Sequence, residues 1–197
     1  MKINLIILAS GNSKRFGANK LLYKINGKEM FKYPLDLAKN LKNIQDIIVV
    51  SKYQEIKDYA LAKNMIYVEN LQSFLGISAS IKLGIKESEK KDFDFLMFMV
   101  CDQPYIKYDT IESFIENFLK SKKGIGAVSF EGILGNPCIF SKKYIDDLKK
   151  LSEDTGGKKI IKNNMSDVYL YEVASKKELE DIDYLKKKAW LFKYFIV

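Results

Sequence analysis

Histidine is missing altogether from this chain of 197 residues. That absence removes Ser-His-Asp and Cys-His catalysis and every histidine-ligated metal site. Any metal would have to be held by carboxylates and phosphates, a donor set that suits magnesium-type chemistry. Arginine is nearly missing too: of 33 lysines and arginines, only Arg15 is an arginine. Cysteine occurs twice, at Cys101 and Cys138. With no secretory signal, the two read as free thiols in a reducing cytoplasm, each a small buried apolar residue. No apolar run is long enough to span a bilayer, the longest being FLMFMVC at 95 to 101. MKINLIILASG superficially mimics a signal peptide. Its apolar run is near the minimum length, however, and SKR follows at once, so it reads as a buried first strand.

What is present describes a globular chain. An apolar share of 47% and a charged share of 29% are those of a soluble protein. The length is most economically one domain over residues 1 to 197, large enough to bury a core. The net charge of +8 points to anionic partners. The lysines are spread along the chain without a basic block or an aromatic stripe, which argues against nucleic acid. Most of them read as a solvated surface.

Apolar strand-like runs recur: INLIILA (3 to 9), DIIVVS (46 to 51), MIYVE (65 to 69), FDFLMFMVC (93 to 101), GIGAVSF (124 to 130), PCIFS (137 to 141) and VYLYEV (168 to 173). Helix-period stretches lie among them: EMFKYPLDLAKNLKN, YQEIKDYALAKN, GISASIKLGIKESEK and YDTIESFIENFLKSK. Continuous rather than alternating apolar strands indicate burial on both faces, hence a mostly parallel sheet between helices, a three-layer α/β fold. FEGILGNPCIF reads as two short strands about a glycine-containing turn, a late antiparallel hairpin.

Ligands in such sheets bind at the carboxyl ends of the strands. The first strand runs into LASGNSKRFGANK, residues 8 to 20. This is neither a Walker A loop nor G-x-G-x-x-G. Its small residues still let backbone N–H groups approach an anion, and Arg15 and Lys20 can neutralise a polyphosphate. The sole guanidinium offers a bidentate fork that lysine lacks. After the third strand, Gly76, Ser78 and Ser80 stand at a helix entrance, where free N–H groups and hydroxyls suit a nucleotide base or ribose. Ser78 alternatively serves only as an N-cap. After the fourth strand, Asp102 in CDQP is a carboxylate at the mouth of a buried strand, a costly placement unless it holds a cation, magnesium where phosphates lie near; alternatively it only caps the following loop. GILGNPCIFS and SEDTGGKKIIKNN add a glycine-asparagine-proline turn and an acidic-glycine loop ahead of lysines, either walls for a second, anionic substrate or simple connections.

Together these stretches resemble one family. LASGNSKRFGANKLL is similar to the L-A-A-G-x-S-x-R-[MF]-G-x-x-K-L-L signature of the MobA-like nucleotidyltransferases, and the chain more closely resembles their molybdenum cofactor cytidylyltransferase branch (MocA type). GISASI resembles that branch's G-x-S-S-S-[IL], CDQP its G-D-x-P, and GNPCIFS its G-[HN]-P-V-L-F-S. SEDTGGKKII resembles G-D-x-G-A-[RK]-x-[LI]-[LI], and DID at 181 to 183 the acidic start of a D-I-D-T-P-E-D-L tail. The motifs follow family order across nearly the whole chain. Departures are Ser10 for the second alanine, Cys101 for the glycine before the aspartate, Ala79 for a serine, Glu153 and Gly157 in the late loop, and the loss of T-P-E-D after Asp183.

The resemblance implies a Rossmann-like nucleotidyltransferase fold and transfer of CMP from CTP to the phosphate of molybdopterin carrying molybdenum. Pyrophosphate would leave, and the product would go to a molybdenum hydroxylase. On this reading Leu8, Ala9, Ser10, Gly11, Gly76, Ser78 and Ser80 bind nucleotide, and Arg15 and Lys20 hold the departing phosphates. Asp102 holds magnesium, with Asp181 and Asp183 as candidates for a second carboxylate. Gly135, Asn136, Pro137, Asp154 and Gly156 wall the acceptor pocket. The guanylyl-transferring relatives look like L-A-G-G at the opening motif, so the Ser10 side chain narrows the base pocket and favours a pyrimidine. Two other readings stand beside this one. One is a cytidylyl- or uridylyltransferase for a sugar or isoprenoid phosphate, against which the missing proline before Lys20 counts. The other is an accessory protein that delivers cofactor without catalysis.

Overall fold

A computed structural model describes residues 1–11 and 19–182. In chain order its elements are β1 (Ile3–Ala9), β2 (Lys24–Ile25), β3 (Lys28–Glu29), α1 (Lys32–Lys39), β4 (Ile44–Ser51), α2 (Gln54–Ala62) and β5 (Ile66–Glu69). Then follow α3 (Ile77–Ser88), β6 (Phe95–Val100), α4 (Tyr108–Ser121), β7 (Ile125–Phe130), β8 (Ile133–Ser141), α5 (Ile145–Lys149), α6 (Lys158–Asn163) and β9 (Val168–Glu172). Seven strands form one sheet in the order β5-β4-β1-β6-β8-β7-β9. The pairs β4–β5, β1–β4, β1–β6 and β7–β9 are parallel, and β8 alone runs against its neighbours β6 and β7.

The period-2 alternation of the strands sorts the core into two layers. Ile3, Leu5, Ile7 and Ala9 of β1, with Met97 and Met99 of β6, pack under Leu35 of α1, Ile56 of α2 and Phe114 and Phe118 of α4. Ile6, Leu96 and Phe98 face the other way, against Ile81 and Ile85 of α3, Leu148 of α5 and Ile161 of α6. The expected three-layer fold is therefore present, its central strands buried on both faces.

Three local readings change. The β7–β8 hairpin turns at Glu131 (φ 50°) and Gly132 (φ 74°), both left-handed, which is the two-residue loop whose twist matches the strands. Gly135-Asn136-Pro137 is thus not a turn but lies inside β8, which starts four residues earlier than PCIFS suggested. A two-stranded ribbon, β2–β3, turns at Asn26 and Gly27, again with positive φ. Its strands are too short to show any periodicity. Finally, α5 and α6 are too brief for the helical period to stand out in sequence.

β8 is inserted antiparallel between β6 and β7, with Phe98 opposite Cys138. This brings the amino-terminal part of β8 to the same edge as the carboxyl ends of β1 and β6. Gly135 and Asn136 reach the site by that route.

Candidate active site

At that edge lies a cleft of about 190 Å³ lined by Leu8, Ser10, Gly11, Lys20, Leu21, Ser73, Gly76, Ile77, Ser80, Val100, Cys101, Asp102 and Asp154. Beside it is a second compartment of about 500 Å³. Leu8, Ile77, Val100 and Asp154 line both, so the two share a wall. The floor of the second is apolar, with Phe98, Phe140, Ile81 and Ile161, and its rim carries Asn136, Thr155, Lys158 and Lys159.

The charged centre of the first cleft is a pair. Lys20 Nζ lies 2.7 Å from Asp102 Oδ2, the side chains 12% and 25% exposed. Partial withdrawal from water makes a cation beside this carboxylate favourable, and the lysine of the opening loop supplies it. Gln103, next along, is buried and its Nε2 donates to the Leu179 carbonyl at 3.1 Å and to Asp181 Oδ1 at 2.8 Å. The Ile182 N–H donates to the Asp102 carbonyl at 3.1 Å. The Asp181-Ile182 segment is thereby tied to the turn that carries Asp102. Among the described residues no three His, Cys, Asp or Glu side chains gather as a metal site. Arg15 and Asp183 lie outside the described residues.

The nucleotide candidates divide. Leu8, Ser10, Gly11, Gly76 and Ser80 line the cleft together with Lys20 and Asp102. Ala9, the last residue of β1, turns its side chain into the opposite core layer, and its carbonyl accepts from Ser51 Oγ at 2.9 Å. Ser78 lines a separate depression with Gln72 and Lys82, and its N–H donates to the Glu153 carbonyl at 3.1 Å. It is not the N-cap of α3 either; Gly76 is. Gly76 has φ 91° and ψ −177°, and a Cβ there would lie 2.4 Å from the Glu153 carbonyl oxygen. Its bareness lets the 152–156 loop close on α3. Of the acceptor candidates, Gly135, Asn136, Asp154 and Gly156 line the second compartment. Pro137 is buried in β8, outside the lining.

Three lining residues carried no signal of their own in the sequence: Ser73, Ile77 and Val100. Asn70 carried a signal that the motif reading missed, since it opens the stretch NLQSFLGISASI and follows β5 directly. It is fully buried, with Nδ2 donating to Ser80 Oγ at 2.8 Å. The strand-end rule would have found it, had asparagine been weighed with the hydroxyls.

Cys101 and Cys138 are free and buried. Burial pushes the Cys101 thiol well above its ordinary range, with the Asp102 charge adding to the effect. Burial raises Cys138 to about 12, against a small opposing effect of Lys158. Neither is a thiolate near neutral pH, so neither is a nucleophile.

A family model described as the MobA-like NTP transferase domain matches residues 5–168. A probable molybdenum cofactor guanylyltransferase of Thermococcus sibiricus is 28% identical over 150 residues, covering 75% of this chain and 73% of the relative. A protein of the same description from Aquifex aeolicus is 26% identical, over 73% of this chain and 66% of its own. A 2-C-methyl-D-erythritol 4-phosphate cytidylyltransferase of Dictyoglomus thermophilum is 29% identical, over 78% and 65%. Among solved structures, Rv0371c of Mycobacterium tuberculosis H37Rv superposes with a TM-score of 0.75 at 20% identity, covering 93% of this chain and 94% of that one. No helix among the described residues is long and apolar enough to cross a membrane.

Proposed function

We propose, for a nucleotidyltransferase that belongs to the MobA-like NTP transferase family, that the cleft takes a nucleoside triphosphate and the adjoining compartment takes the acceptor. The acceptor is a phosphate monoester, molybdopterin carrying molybdenum, which receives CMP from CTP. The observation that carries this reading is the shared wall: two compartments meet beside the Lys20–Asp102 pair at a strand end.

An oxygen of the acceptor phosphate attacks the α-phosphorus. The new O–P bond forms as the bond to the β-phosphate oxygen breaks, and pyrophosphate leaves. An ionised phosphate needs no general base, which agrees with a chain lacking histidine. Catalysis is positioning plus neutralisation of charge. Lys20 exchanges Asp102 for the departing phosphates, and Arg15 joins it with a bidentate contact. Lys158 and Lys159 at the rim of the second compartment attract the acceptor's charge, while its apolar floor takes a flat ring system. Magnesium, when bound, neutralises the triphosphate and polarises the reacting phosphate. Asp102 would hold it, with Asp181 and Asp183 as further candidates. Carboxylate and phosphate oxygens are the hard donors this cation takes.

CTP is favoured because Ser10 lines the cleft with a side chain, where the opening motif of the guanylyl branch looks like L-A-G-G. The names of the Thermococcus and Aquifex relatives support a second reading, GTP. The product would pass to a molybdenum hydroxylase in the cytoplasm. Pyrophosphate release is measured with CTP, UTP, GTP and ATP, each with magnesium and with or without the loaded pterin. CTP with the pterin should give the highest kcat/KM. Preference for GTP would move the chain to the guanylyl branch, and no release with any nucleotide would refute the reaction.

A further inference from the structure

Of the three serines that line the nucleotide cleft, Ser10 and Ser80 have hydroxyls of opposite, fixed polarity. Ser10 Oγ donates to the Val50 carbonyl at 3.1 Å, which leaves its lone pairs for the cleft. Ser80 is set the other way, and Asn70 sets it. Asn70 is fully buried at the end of β5, where its N–H donates to the Ser51 carbonyl at 2.8 Å. Its Oδ1 accepts from the Gln72 N–H at 3.0 Å. A backbone N–H can only donate, so the amide oxygen must face Gln72 and the amide nitrogen must face Ser80. That nitrogen donates to Ser80 Oγ at 2.8 Å. Ser80 is therefore an acceptor inside the protein, and its own proton finds no acceptor among the described residues. Ser80 lies in the first turn of α3, 4% exposed, and lines the cleft.

We propose that Asn70 is a specificity-determining residue that acts through Ser80: it holds the Ser80 hydroxyl as a donor, so that the cleft selects the nucleobase edge with an acceptor facing Ser80 and a donor facing Ser10. This deepens the nucleotide reading above and rests on it. The selection comes from polarity. A base presenting a donor to Ser80, itself 4% exposed, would leave two protons opposed and one of them unsatisfied.

Asn70→Asp reverses the switch at nearly constant shape. The carboxylate keeps the Gln72 N–H but can only accept from Ser80, so Ser80 then presents lone pairs to the cleft. Ser80→Ala removes the hydroxyl and leaves Asn70 in place. Dissociation constants of CTP, UTP, GTP and ATP with magnesium are measured by calorimetry on the whole protein, so that no acceptor substrate is needed. The preferred nucleotide should weaken about three- to tenfold in both variants. The ratio of preferred to disfavoured nucleotide should fall in both, and the double variant should fall no further than either single one. Uniform weakening of all four nucleotides would make Asn70 structural and overturn the proposal. An unchanged ratio in Ser80→Ala would overturn it as well. Should Asn70→Asp not fold, Asn70→Ala frees the Ser80 hydroxyl to rotate and takes its place in the comparison: a fallen ratio supports the proposal, and an unchanged ratio overturns it. Wild-type protein that binds no nucleotide would instead sink the function proposed above. A wild-type preference that both variants leave untouched sinks this inference alone.

Discussion

Gly76→Ala tests how the two halves of the site are held together. The backbone at Gly76 (φ 91°, ψ −177°) lies where essentially only glycine is found, and forcing another residue there costs roughly 1–3 kcal/mol. Space is the second cost. The added Cβ would meet the carbonyl carbon and oxygen of Glu153 at 2.4 Å and the nitrogen of Asp154 at 2.7 Å. These are backbone atoms, so the 152–156 loop must move as a piece. The bond from the Ser78 N–H to the Glu153 carbonyl then opens, which costs about 1 kcal/mol more. Together the loss is roughly 2–4 kcal/mol, and a chain of this length should melt about 5–15 °C lower. Because Asp154 lines both compartments, nucleotide binding and turnover should fall with it. Gly11→Ala is the control for stability. Nothing lies within 4 Å of a Cβ there, and its stability should stay within about 0.5 kcal/mol of wild type. Thermal unfolding followed by circular dichroism decides the matter. A Gly76→Ala protein melting within about 1 °C of wild type would show that the loop does not depend on this approach.

Asp102→Asn keeps the shape and removes the charge, so turnover should fall by at least about a hundredfold while the protein still folds. A near-wild-type rate in magnesium would refute the metal assignment. Arg15→Lys should lower kcat at least about tenfold, since a point charge replaces a bidentate fork poorly. Kinetics identical to wild type would reduce it to a surface residue. Asp167 supplies a pH test away from the site. Burial acts to raise its carboxyl, but bonds from Lys143, Tyr144 and the Gly124 N–H outweigh that and hold it at about 2. A folded value below the unfolded one contributes stability that is complete above about pH 4 and is lost as the pH falls toward 2. Asp167→Asn should therefore flatten the fall in the urea midpoint across that window, and an unchanged slope would contradict it.

Local pattern carried the strand and helix order. Continuous apolar runs such as INLIILA and FLMFMV can only be buried on both faces, and from that the parallel three-layer sheet follows. The place of Asp102 and Ser10 at the cleft was legible for the same reason, because both follow the carboxyl ends of buried parallel strands. What no local pattern could supply is which distant groups meet. Lys20 pairs with Asp102 across 82 positions and Gln103 with Asp181 across 78, and neither pairing leaves a periodicity in the chain. Strand neighbours are chosen by backbone hydrogen bonds, which every residue type but proline makes alike. So the insertion of β8 beside β6, and with it the arrival of Gly135 and Asn136 at the site, belongs to the tertiary structure alone. The same holds for polarity. A serine in sequence is both donor and acceptor, and only the contact with Asn70 makes Ser80 a donor to the cleft.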